Sequence, residues 1–182
     1  MASDLTVQTI RGPGSGANAN QILIPSGQKV IATNSGAFVS PGQIIQEVFF
    51  TGSDNATSSA SAWVQSAVAA SITPKYSTSI IMGFATINVW RSSTANYFGV
   101  KVVNSGGNTS EPAIYGDGYF NASGAVSWDT AYQWRYTAGS TSATTSTFYY
   151  YPNGGTVWFP NNSTSYGPTP NRWSIRLTEV AQ

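Results

Sequence analysis

The stretch Ser79 to Arg91, SIIMGFATINVWR, sorts its side chains into two alternating sets. Ile81, Gly83, Ala85, Ile87 and Val89 share one face of an extended chain; Ile80, Met82, Phe84, Thr86, Asn88 and Trp90 share the other. Successive side chains of a β-strand point to opposite sides, and β-branched and aromatic residues suit that backbone. No window of the chain shows a 3.6-residue period with helix caps. The nearest approach, Ser58 to Ala70, is rich in Ala but carries Trp63, Val64 and Val68 among serines, and its second half reads as strand. Working outward, similar runs occupy Gln43 to Thr51, Trp63 to Ile72, Tyr97 to Asn104, Ala113 to Tyr115, Thr130 to Thr137, Thr145 to Tyr151, Thr156 to Phe159 and Arg172 to Val180. Turn chemistry separates them: NSGGN from Asn104, GDG from Gly116, NGG from Asn153 and NNS from Asn161. Short strands at this spacing predict an all-β fold, an antiparallel β-sandwich or jelly roll, not a parallel α/β sheet.

A sandwich sheet normally keeps one polar, solvated face. Ser79 to Arg91 is apolar on both, as are Thr147 to Tyr151 and Thr156 to Phe159. The outer faces are therefore expected to be covered by a neighbouring subunit, a covering loop or a ligand. Charge points to the subunit. Eight Lys or Arg and seven Asp or Glu make 8% of the 182 residues, with a net charge of +1, where about 25% charged is ordinary. A chain so near neutrality tends to associate. It also lacks the basic footprint of a nucleic-acid or anionic-membrane binder. No apolar run reaches membrane-spanning length, and the first residues lack the pattern of a signal peptide. Cys and His are both absent, so disulfides, thiolate catalysis and imidazole bases are excluded, and no metal or other cofactor is expected.

Residues 1–42 read differently. Leu5, Val7, Ile10, Ile22, Ile24 and Val30 lie in very short apolar stretches between GPGSG from Gly12, PSG from Pro25 and NSG from Asn34. So few apolar side chains cannot build an independent core. The segment is expected to be either a disordered arm or an N-terminal stalk in which sister chains bury these residues at a shared axis, with Arg11 and Lys29 outside. The head is expected over residues 43–182.

Few residues could carry chemistry. Asp117 and Asp129, with Glu111 near in sequence, are the candidates for a carboxylate pair of the kind that hydrolyses glycosides, but Asp117 sits in an ordinary turn signature. The expectation is that the protein is not an enzyme. Aromatics are the better signal: Tyr115, Tyr119, Phe120, Trp128, Tyr132, Trp134 and Tyr136 crowd one region. Flat rings that stack on sugars would make a receptor surface. The alternation at 132, 134 and 136 equally suits core or subunit interface.

Four motifs carry a family resemblance. PGQIIQ (Pro41 to Gln46) and SITPKYSTSI (Ser71 to Ile80) are followed by GGTV (Gly154 to Val157) and SIRLTEVA (Ser174 to Ala181). In this order they resemble the "PGxIIQ", "SITPKSxxSKI", "GGTVxxN" and "ITxxEVA" of β-rich virion proteins of tailed phages, notably those of cyanobacteria and marine bacteria. The chain departs from the pattern at Ile80-Ile81, where the usual Lys is missing, and at Trp158 to Pro160, where the family often has Asn. The resemblance implies a homotrimeric jelly-roll protein of the virion surface, similar in outline to the C1q/TNF group and made in the host cytoplasm. On that reading the chain is a short fibre with a host-attachment role, binding other virion proteins through the N-terminal arm and a host-surface glycan through its head. The alternative is a capsid decoration or cement protein that stabilises the capsid head.

Overall fold

The computed structural model describes residues 14–16, 21–22, 24–29, 39–54, 56–92, 97–105, 126–153, 155–161 and 173–182. The chain divides into two units, Met1–Phe38 and Val39–Gln182. In the first, a tight turn closes where Gln28 N donates to Pro25 O at 3.0 Å. Gly27 there has φ of 83°, a left-handed conformation that only glycine adopts cheaply.

The second unit is built of strands β1 (Ile44–Gly52), β2 (Thr57–Ser58), β3 (Val64–Ile72), β4 (Ile80–Arg91), β5 (Tyr97–Ser105), β6 (Val126–Thr137), β7 (Thr144–Asn153), β8 (Val157–Trp158) and β9 (Trp173–Val180). All pair antiparallel in two sheets. The larger sheet runs β1-β9-β4-β6, with β8 and β2 continuing beside the far end of β4. The smaller sheet runs β3-β7-β5. Strands from the two ends of the chain thus become neighbours, β1 with β9 and β3 with β7, as the winding of a jelly roll requires. The expected all-β fold is what forms, with strand bounds close to those read from alternation. β2 is an addition, since two residues are too few to show a period. The short run Ala113 to Tyr115 lies outside the described residues.

The inner faces of the two sheets share one apolar core. In β4, Ile81, Ala85, Ile87 and Val89 are buried, as the two-residue period demands. Facing them, Phe148 of β7 meets Trp134 edge-on at 5.3 Å and Tyr132 at 5.6 Å between ring centres. Phe159, just after β8, stacks on Tyr150 at 5.5 Å. Each such pair contributes about 0.5–1.5 kcal/mol beyond its area burial. Trp134 keeps its indole N–H satisfied inside the core: Nε1 donates to Ser146 Oγ at 3.2 Å, which donates to Asn104 Oδ1 at 2.6 Å. Gly83 sits directly under the Trp134 ring, and a Cβ there would be driven into the indole. The ring lies flat on β4 only because position 83 has no side chain.

Candidate functional site

Three of the four resemblance motifs meet at one buried carboxylate. Glu179 of β9 is fully buried. Its Oε1 accepts from the backbone N–H of Lys75 at 2.8 Å and of Tyr76 at 3.1 Å. Its Oε2 accepts from Lys75 N at 3.0 Å and from Gln46 Nε2 at 2.6 Å. Gln46 also donates to Thr73 O at 2.7 Å. A buried carboxylate is tolerated when backbone N–H groups take up its lone pairs. Here it ties the β3–β4 turn to β1 and β9. These motifs are structural: they hold the end of the sandwich together.

The outer face of the larger sheet is the feature that the core leaves unexplained. Register places Phe49, Arg176, Phe84 and Gln133 in one row across β1, β9, β4 and β6, and Glu47, Thr178, Met82 and Arg135 in the next. Phe49 is 69% exposed and Met82 51%, and Ile44 and Phe84 are also exposed. An open groove of about 670 Å³ runs over this wall from Gly42 and Ile44 to Gln133 and Arg135. Three of its polar groups contact one another or a ring. The Arg176 guanidinium lies over the Phe84 ring at 6.0 Å, and its Nε stands 4.0 Å from Glu47 Oε1. Thr178 Oγ1 donates to the same carboxylate oxygen at 2.9 Å. Exposed pairs of this kind stabilise little, but they fix the charged groups around an apolar centre. At the far end of the same face Trp90 meets its cross-strand partner, Trp158 of β8, edge-on at 4.0 Å. On the outer face of β4, Trp90 is thus half-buried beside Trp158, while Met82 and Phe84 are exposed.

The aromatic region divides by face. Tyr132 and Trp134 point inward and are buried, so of the readings open in the sequence they belong to the core and offer nothing to a ligand. Trp128 is half-buried on the same inner side, edge-on to Phe98 at 6.0 Å. Tyr115 and Tyr119 lie outside the described residues, as do Leu5, Val7, Ile10 and Val30 of the stalk reading. Ile22 and Ile24 are described, and both are exposed. Of the carboxylates, Asp117 and Glu111 lie outside the described residues. Asp129 accepts from Asn88 Nδ2 at 2.8 Å, within a network in which Asn161 Nδ2 donates to Asn88 Oδ1 at 2.9 Å. That network fastens the segment after β8 to β4, which gives Asp129 a structural task. Burial pushes the phenols of Tyr132, Tyr136 and Tyr150 above their ordinary range. Among the described residues no group of His, Cys, Asp and Glu is placed to hold a metal ion, and no helix is long and apolar enough to cross a membrane.

Alternation alone made Met82 and Phe84 visible as a second apolar face. Phe49, Ile44, Arg135 and Arg176 could not be joined to them from sequence, because they reach that face from strands far apart in the chain. Compared with models of known protein families and with curated protein sequences, the chain matches none.

Proposed function

We propose that the chain is a non-catalytic structural subunit of a tailed-phage virion surface. In this reading it is a short homotrimeric fibre whose N-terminal arm holds it to other virion proteins and whose jelly-roll head serves host attachment. The observation that carries the assembly is the exposed apolar wall of Ile44, Phe49, Met82 and Phe84 on a rigid antiparallel sheet. These exposed apolar side chains alternate across the strands with Arg176, Thr178 and Glu47, a mixed surface of the kind that interfaces use, and net charge near zero offers no repulsion between copies. The resemblance of four motifs to those of phage virion proteins is what supports the virion setting.

Size-exclusion chromatography with light scattering tests it directly. Three times the 19.2 kDa chain mass is expected, and a monomer at micromolar concentration would remove the assembly reading. A capsid decoration or cement protein is the second reading, favoured by the same exposed outer face, which could as well clamp capsid subunits. Imaging virions with a labelled copy separates the two: signal at the tail supports the fibre, signal over the capsid supports decoration.

A further inference from the structure

The outer face of the smaller sheet holds a cluster that neither the core nor the apolar wall uses. Register sets Gln65, Tyr149 and Lys101 side by side across β3, β7 and β5, and places Tyr151 beside Gly99 in the next outward row. Trp63, immediately before β3, completes that row. Its ring meets Tyr151 edge-on at 5.6 Å and remains 38% exposed. It stands over Gly99, where a Cβ would approach the indole to 3.2 Å. The Lys101 ammonium lies 4.7 Å from the centre of the Trp63 ring and 5.2 Å from that of Tyr149. Tyr149 Oη donates to Gln65 Oε1 at 3.1 Å, and among the described residues the exposed Gln65 amide nitrogen has no acceptor.

Two ring faces hold the ammonium in place, and among the described residues no carboxylate lies within ion-pair distance of it. A cation held over two rings with no counterion among the described residues, beside an exposed indole and an amide, asks for a ligand with three parts: an anion for Nζ, a flat apolar face for the ring, and hydroxyls for the amide. A simple carboxylate would leave the indole bare. A neutral sugar would leave the cation unanswered. Nucleic acid would need more positive charge than a net +1 chain supplies.

We propose that Trp63, Gln65, Lys101, Tyr149 and Tyr151 form a binding site for a pyranose bearing a carboxylate. The carboxylate pairs with Lys101 Nζ, the C–H face of the ring packs on Trp63, and ring hydroxyls accept from the Gln65 amide. This deepens the attachment reading and rests on it only for where the saccharide comes from.

The test is calorimetric titration of the full chain with methyl β-D-glucuronide and with its neutral counterpart, methyl β-D-glucoside. Saturable binding of the glucuronide is expected, about tenfold tighter than the glucoside at low salt, the gap narrowing as salt rises. Lys101→Gln should erase that preference while retaining weak binding of both sugars. Trp63→Ala should abolish both, with melting temperature followed to show that each variant is folded. No saturable heat with either sugar up to about 20 mM overturns the proposal; so does a folded Lys101→Gln variant that still prefers the glucuronide, or a folded Trp63→Ala variant that binds as the parent does. A trimer that binds neither sugar defeats this site and leaves the assembly reading standing. A monomer that binds the glucuronide does the reverse.

Discussion

Removing the Glu179 carboxylate should loosen the end of the sandwich where three sequence motifs meet. The carboxylate is fully buried and accepts from Lys75 N, Tyr76 N and Gln46 Nε2 at 2.6–3.1 Å. A hydrogen bond to a charged group contributes about 1.5–3 kcal/mol net. Three such donors do not simply add, because deleting the side chain also removes the cost of burying its charge and lets water reach the two backbone groups, which belong to exposed residues. A loss of about 3 kcal/mol is the expected balance for Glu179→Ala. For a chain of this length that is a fall of roughly 6–12 °C in melting temperature. Glu179→Gln keeps one acceptor oxygen and the shape, so it should fall about half as far. The measurement is thermal melting by circular dichroism at one fixed protein concentration, since the proposed assembly would make the midpoint concentration-dependent. A double-mutant cycle with Gln46→Ala should show coupling above about 0.5 kcal/mol, as the two side chains are in direct contact. If Glu179→Ala melts within about 2 °C of the parent, the carboxylate does not hold the β3–β4 turn and the reasoning is wrong.

Phe148→Ala should cost about 3–5 kcal/mol, because the ring is fully buried and packs against Tyr132, Trp134 and Phe159; urea unfolding measures it, and a loss below about 1 kcal/mol would contradict the packing. On the proposed assembly, Phe84→Glu adds a charge where Phe84 lies beside Arg176 and should give monomers at micromolar concentration by light scattering; a parent-like trimer would show that copies meet elsewhere. Stability should be nearly flat from about pH 6 to 9, since the chain has no His, and then fall as pH rises past about 10. The sign follows from Tyr132, Tyr136 and Tyr150: burial raises their folded pKa, so above about pH 10 the unfolded chain releases protons that the folded chain keeps. Each contributes a slope of up to about 1.4 kcal/mol per pH unit, and equal melting temperatures at pH 8 and pH 11 would refute it.

Much of the fold is legible along the chain because a strand's inside and outside are written in residues two apart. Ile81, Ala85, Ile87 and Val89 announce one buried face of β4 without any knowledge of partners. Near-neutral charge and the absence of Cys and His likewise narrow the chemistry through composition alone. Alternation, though, says only that two faces differ. It could not say whether Tyr132 and Trp134 face a ligand or a core; that was decided when the second sheet brought Phe148 over them. Nor could it show that Gln46, Lys75, Tyr76 and Glu179 are neighbours, since more than a hundred residues separate the turn from the carboxylate. The same holds for Lys101 between Trp63 and Tyr149, and for Phe49 beside Arg176 and Phe84. Local backbone sterics and side-chain period act over a few residues, so they are readable in one strand. Which strands lie side by side depends on how the whole chain winds between two sheets, and only the folded molecule brings those distant side chains together.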